Sequence, residues 1–165
     1  MRIIGIGNRL RGDDAAGPLV AERLAALDLG LEVIELDGDG TRLLETLEGA
    51  ADVIVIDAMR SGAAPGTIRR FDAASETLPA GAFHYSSHAF GVAEAIETAR
   101  AIDTLPANLT IYGIEGAGFD FGAPLDAAVE RAIDALVAAI RLELSSPSAA
   151  AASPAANSSP ASTAR

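Results

Sequence analysis

At 165 residues the chain fits one domain, since domains cluster at about 100–150 residues and a chain of this size buries roughly 70% of its unfolded surface without covalent staples. No cysteine is present, which removes disulfides, thiolate zinc sites and cysteine nucleophiles together. A formal charge of −11, with arginine as the sole basic residue type, repels phosphate backbones and argues against nucleic acid as a partner.

Met1 to Ile6 is an apolar run ending in Gly5-Ile6-Gly7, the pattern of a buried strand entering a tight turn. Met1 to Leu10 lacks the basic region and small-residue cleavage site of a secretory signal, so the expected location is the cytoplasm. A loop, Asn8 to Ala16, leads to a helix expected from about Pro18 to Leu29, with Val20, Leu24 and Leu27 on one face. Pro18 suits a first helical turn, where its missing N–H does no harm, so that helix begins close to Asp14–Gly17. Leu31 to Leu36 reads as a second strand with Asp37-Gly38-Asp39-Gly40 as its turn, and Thr41 to Glu48 as a short helix stopped by Gly49.

Val53 to Ile56 is the clearest strand, apolar and β-branched throughout, ending at Asp57. Gly66 to Phe71 suggests an edge strand. Ser86 or Ser87 could cap a helix from about Ala89 to Ala101, Leu109 to Ile114 is a further strand, and Pro124 to Leu144 a helix striped by Val129, Ile133, Leu136, Ile140 and Leu144. No run approaches the ~20 apolar residues of a membrane span. Beyond Leu144 the chain becomes Ser, Ala and Pro, which cannot offset ordering entropy, so Ser145 to Arg165 is expected to be disordered and residues 1–144 to form the domain. Alternating strands and helices imply an α/β fold, a mostly parallel sheet covered on both faces. Sites in such sheets form beyond the carboxyl ends of the strands, where Asn8, Asp13, Asp14, Asp37 and Asp57 fall.

Three polar groups then need weighing. Gly5-x-Gly7-Asn8-x-Leu10-x-Gly12-Asp13-Asp14 could be no more than a glycine-rich turn with acids favouring a helix N-terminus. A dinucleotide site would use Asp37 on a ribose, but Leu10 stands where its third glycine belongs. Asp13 and Asp14 would also repel the pyrophosphate. Asp57 after Val53–Ile56 could be a plain turn residue. An acid there beside an earlier acidic pair also suggests a phospho-acceptor domain, but that chemistry needs a lysine and the chain has none. The two histidines, His84 and His88, lie four apart, yet Tyr85 stands where zincin chemistry requires Glu. A histidine at a helix N-terminus stays neutral and able to ligate metal; an ordinary loop histidine is the bland reading for both. Taken jointly, two carboxylates and one imidazole at one rim of the sheet would neutralise a divalent ion and leave coordination positions open.

Gly5-Ile6-Gly7-Asn8-Arg9-Leu10-Arg11-Gly12-Asp13-Asp14, Val55-Ile56-Asp57-Ala58 and Ser87-His88-x-Phe90-Gly91 closely resemble the motifs of the hydrogenase maturation proteases. Tyr112-Gly113-Ile114-Glu115, with Leu125 and Val129, is similar to that family's last strand and helix. The resemblance covers Met1 to Leu144 and implies a three-layer α/β/α sandwich around a twisted central sheet. It implies an endopeptidase that removes a C-terminal peptide from the large subunit of nickel–iron hydrogenase after nickel insertion, with Asp14, Asp57 and His88 at the metal-contacting and catalytic positions. Ala15 replaces the glycine that often follows the first acid. The nickel is expected to arrive on the substrate, with no tightly bound organic cofactor, no nucleic-acid or membrane partner, and a monomer meeting its client transiently. Asp13 is expected to brace the loop rather than to act. Two rivals share the same residues: a nickel-sensing chaperone that binds without cutting, and a peptidase of related fold with another substrate.

Overall fold

The computed structural model describes residues 1–79, 83 and 90–145. Five strands and four helices follow along them, alternating except where β4 directly succeeds β3: β1 (Arg2–Ile6), α1 (Ala16–Ala25), β2 (Glu32–Leu36), α2 (Gly40–Leu47), β3 (Asp52–Met59), β4 (Ile68–Asp72), α3 (Val92–Ala101), β5 (Asn108–Glu115) and α4 (Ala127–Ser145). A short 3-10 turn, Gly12–Ala15, precedes α1. The strands form one sheet in the order β2-β1-β3-β5-β4. All pairings are parallel except that of β4 with β5.

Because side chains alternate across a strand, each central strand feeds two cores. Ile3, Ile54, Ile56, Tyr112 and Ile114 meet Val20, Ala21 and Leu24 of α1 and Val129, Ile133, Leu136 and Ile140 of α4. On the other face Ile4, Val53, Val55, Met59, Leu109 and Ile111 meet Leu43 and Leu47 of α2 and Val92, Ala95, Ile96 and Ala99 of α3. This is the expected α/β/α sandwich. The outer strands are short: β2 exposes Glu32 and Glu35, and β4 exposes Arg69 and Arg70. Among the described residues no helix is long and apolar enough to cross a membrane.

Several boundaries differ from the sequence reading. α1 ends at Ala25, so Leu27 lies past it and is 36% exposed rather than on the buried face. α3 begins at Val92, capped by Gly91, whose N–H donates to Glu94 at 3.1 Å, and not by Ser86 or Ser87. α4 begins at Ala127, with the Asp126 carboxylate accepting from the Ala128 amide at 2.7 Å as its cap. β3 continues through Asp57 to Met59 because Asp57, Ala58 and Met59 still pair with Gly113, Ile114 and Glu115. The tail expected to be disordered, 146–165, lies outside the described residues, while Ser145 completes α4.

What positions the site is the close seating of α1. A β-carbon on Gly17, in its first turn, would stand 2.2 Å from the Ile6 carbonyl oxygen and 2.5 Å from that of Ile56. One on Gly5 would stand 2.5 Å from the Gly17 carbonyl oxygen. Helix and sheet can approach this closely only without side chains. Gly17→Ala should therefore destabilise the fold by about 1–3 kcal/mol or more through overpacking. A urea-denaturation midpoint unchanged from wild type would show that α1 has room to lift.

Candidate active site

The loop after β1 turns back sharply, so that the Asp14 backbone carbonyl oxygen comes within 1.9 Å of where a Gly7 β-carbon would be. Gly7 also has φ of 139°, a region that other residues rarely adopt. The loop is clamped on both flanks. On one side Arg9 reaches Glu35 of β2 at 2.6 Å, together with Glu22 of α1. On the other, Arg11 Nε donates to the Phe119 carbonyl oxygen at 3.2 Å, and the Asp13 amide donates to that of Gly118 at 2.9 Å. Asn8 orders the bend itself: its side-chain oxygen accepts from the Leu10 amide at 2.9 Å, and its own amide donates to Asp14 Oδ2 at 3.1 Å.

This brings Asp14 to Asp57. Pairing of β1 with β3 stops at Gly5 opposite Ile56, so Asp57 emerges where its neighbouring strand has given way to the loop. The Asp14 charge acts on the Asp57 carboxyl. Burial pushes the Asp57 carboxyl well above the usual carboxylate range, the Asp14 charge pushes it further, and only the Ala58 amide opposes them. Asp14 is half-buried; desolvation raises its pKa, while the Asn8 amide and the positive charge of Arg11 pull it down.

Asp57 shares deep burial with two other acids among the described residues, Asp13 and Glu115, but they are differently employed. The Asp13 carboxylate accepts from the amides of Ala117, Gly118 and Asp126 at 2.7, 3.0 and 2.7 Å, tying the first loop to the β5–α4 loop. Glu115 accepts from the amides of Ser61 and Gly62 and from the Ser61 hydroxyl, each at 2.8 Å, and so holds the loop that follows β3. Both satisfy themselves locally as buried carboxylates must. Among the described residues, Asp57 is the deeply buried acid whose carboxyl is pushed above its ordinary range, with the Ala58 amide set against burial and the Asp14 charge.

The third expected residue, His88, and with it His84, lies outside the described residues. The end of its motif is described: the Phe90 carbonyl oxygen accepts from the amide of Gly40, the first residue of α2, at 3.0 Å. At the other end of the β4–α3 connection, Arg100 grips the carbonyl oxygens of Ala73, Ala74 and Glu76 at 2.6, 3.1 and 3.1 Å. The bracing roles of Glu115 and Arg100 were absent from the sequence reading. A lone Glu at the end of an apolar strand was the available signal for the first; nothing local marks the second. Among the described residues no group of three or more His, Cys, Asp or Glu could hold a metal ion; His88 falls outside that set.

Fold and geometry together define an α/β/α sandwich protein with an acidic pair at the carboxyl edge of its sheet. A family model described as hydrogenase maturation protease matches residues 18–143, a span that contains Asp57 and begins just after Asp14. The hydrogenase expression/formation protein HupD of Rhodobacter capsulatus is 33% identical over 148 residues, covering 86% of this chain and 70% of that one. The NiFe hydrogenase maturation protease HybD from Thermococcus kodakarensis superposes with a TM-score of 0.67 at 25% identity, covering 87% and 97% of the two chains. The hydrogenase maturating endopeptidase HybD from E. coli superposes with a TM-score of 0.63 at 25% identity, covering 86% and 92%. The chain belongs to the hydrogenase maturation protease family, and is a peptidase.

Two measurements check the acids. The folded-state pKa of Asp57 lies above its ordinary value of 3.8, so the stability tied to its proton is fully present below that value and is lost as pH rises through the folded pKa. Asp57→Asn keeps the shape without the charge. Its Tm should exceed that of wild type at neutral pH, with the gap closing as pH falls toward the ordinary carboxylate range; a gap independent of pH counts against the assignment. Asp13→Ala leaves three partly buried amides without their shared acceptor and should cost about 1–3 kcal/mol in chemical denaturation, whereas an unchanged midpoint would mean the two loops hold together without it.

Proposed function

We propose that this chain is the endopeptidase that removes the C-terminal peptide of a nickel-loaded hydrogenase large-subunit precursor, acting in the cytoplasm. On this reading it recognises the bound nickel through Asp14, Asp57 and His88. The observation that carries it is the charge of Asp14 acting on the deeply buried carboxyl of Asp57, at the end of β3 beyond its pairing with β1; a divalent cation is the partner that relieves two acids so placed. His88 supplies a ligand suited to nickel. The ion is the substrate's cargo, held by the precursor's own thiolates. The enzyme's three side chains complete its coordination and so bring the scissile peptide bond to a fixed place beside it. Hydrolysis then follows by polarisation of the peptide carbonyl or by a carboxylate-activated water.

Selectivity follows from the same arrangement, because a nickel-free precursor lacks the group that joins the two proteins. The intact mass of the large-subunit precursor, followed during incubation with the protein, tests this. Wild type should shorten the nickel-loaded precursor and leave the nickel-free one whole. Asp57→Ala and His88→Ala should each slow processing by at least about a hundredfold, while His84→Ala stays near wild type. Full processing by Asp57→Ala removes that residue from the mechanism. A precursor that is bound but never shortened by wild type would favour the non-cleaving chaperone instead.

A further inference from the structure

Phe121 and Leu10 leave 76% and 61% of their surfaces in water. Isolated exposed apolar residues are ordinary on protein surfaces, but these two are held together: the Gly122 amide donates to the Leu10 carbonyl oxygen at 2.7 Å. The framework beneath them is braced. A turn closed by the Ala123 amide on the Asp120 carbonyl oxygen, at 3.1 Å, presents Phe121. The Arg11–Phe119 bond and the three amides gathered by Asp13 fasten this turn to the loop that carries Leu10 and Asp14. Two large apolar side chains are thus kept extended into solvent a few residues along the chain from Asp14, on the loop that delivers Asp14 to Asp57.

We propose that Leu10 and Phe121 form a docking surface for the nickel-bearing precursor, received on an apolar patch of the precursor beside its metal. The inference rests on the reading given under Proposed function. Continuity with the acidic pair selects this occupant. Leu10 lies on the loop that carries Asp14, so a second copy of the chain or a permanent partner seated here would cover part of that loop through every turnover, and the occupant therefore has to arrive and leave with the reaction. The precursor does so. Exposed apolar side chains on a braced backbone are the kind that anchor such contacts, with aromatic rings contributing most.

The test uses the full chain and the nickel-loaded large-subunit precursor, measuring the Kd for the precursor and the kinetics of its shortening. Leu10→Ser with Phe121→Ser should raise Kd and KM at least about tenfold, with KM carrying most of the loss. Phe121→Leu should recover most of the affinity. Because both side chains are exposed, circular dichroism and Tm should match wild type. Unchanged Kd and KM in the double variant overturn the docking surface while leaving the peptidase reading intact. If wild type binds the precursor without shortening it, the peptidase reading fails, and the comparison of Kd still decides the docking surface. If wild type neither binds nor shortens the precursor, both fall together.

Discussion

Gly5 and Gly17 let the first turn of α1 rest on the ends of β1 and β3 at a separation that no β-carbon permits. The loop between β1 and α1 must therefore rise from one strand end and descend almost on top of the next. It is short, so it doubles back on itself, and Asp14 is carried over the spot where β3 outlasts its neighbour. The meeting of Asp14 and Asp57 is in this sense a consequence of backbone packing. The two cores on either side of the sheet give that packing its rigidity, since neither α1 nor β3 can shift without opening one of them.

The three deeply buried acids of the described residues show how similar chemistry is divided between scaffold and site. Asp13 and Glu115 gather amides from loops on either side of the strand ends and convert flexible connections into fixed ones. Asp57 is deeply buried near the like charge of Asp14, with the Ala58 amide opposing both, and burial and like charge strengthen a carboxyl's hold on its proton. Adjacent positions in the sequence, Asp13 and Asp14, thus fall to opposite duties: one faces inward to the amides of the β5–α4 loop, and the other faces the rim.

Much of this was legible beforehand. Val53–Ile56 announces a strand buried on both faces, and Val129, Ile133, Leu136 and Ile140 announce a helix with one buried stripe, because period and burial are direct consequences of packing. The element ends were less legible. Leu27 matches the α1 stripe but follows the point where the chain leaves the helix, and Asp57 looks like a strand terminus although β5 keeps pairing beyond it. Ser86 and Ser87 have good capping chemistry, yet Gly91 takes the cap because Glu94 returns to its amide. At the candidate site, Asp14 and Asp57 were singled out by their positions at strand ends and by family resemblance. Asp13 was expected to brace its loop, but the amides it gathers were invisible, since Ala117, Gly118 and Asp126 are remote from it in sequence and local patterns carry no record of long-range contacts.

The outer strands β2 and β4 bear on how the molecule behaves in a crowded solution. Val53–Ile56 has the β-branched, uncharged character of a segment that would readily join a foreign sheet. It is flanked on both sides by partner strands, and the ribbons that do face outward are short and studded with Glu32 and Glu35 at one margin and Arg69 and Arg70 at the other. Charges at such margins discourage an incoming strand from extending the sheet. The folded protein can thus keep a sticky interior strand without becoming a template for aggregation.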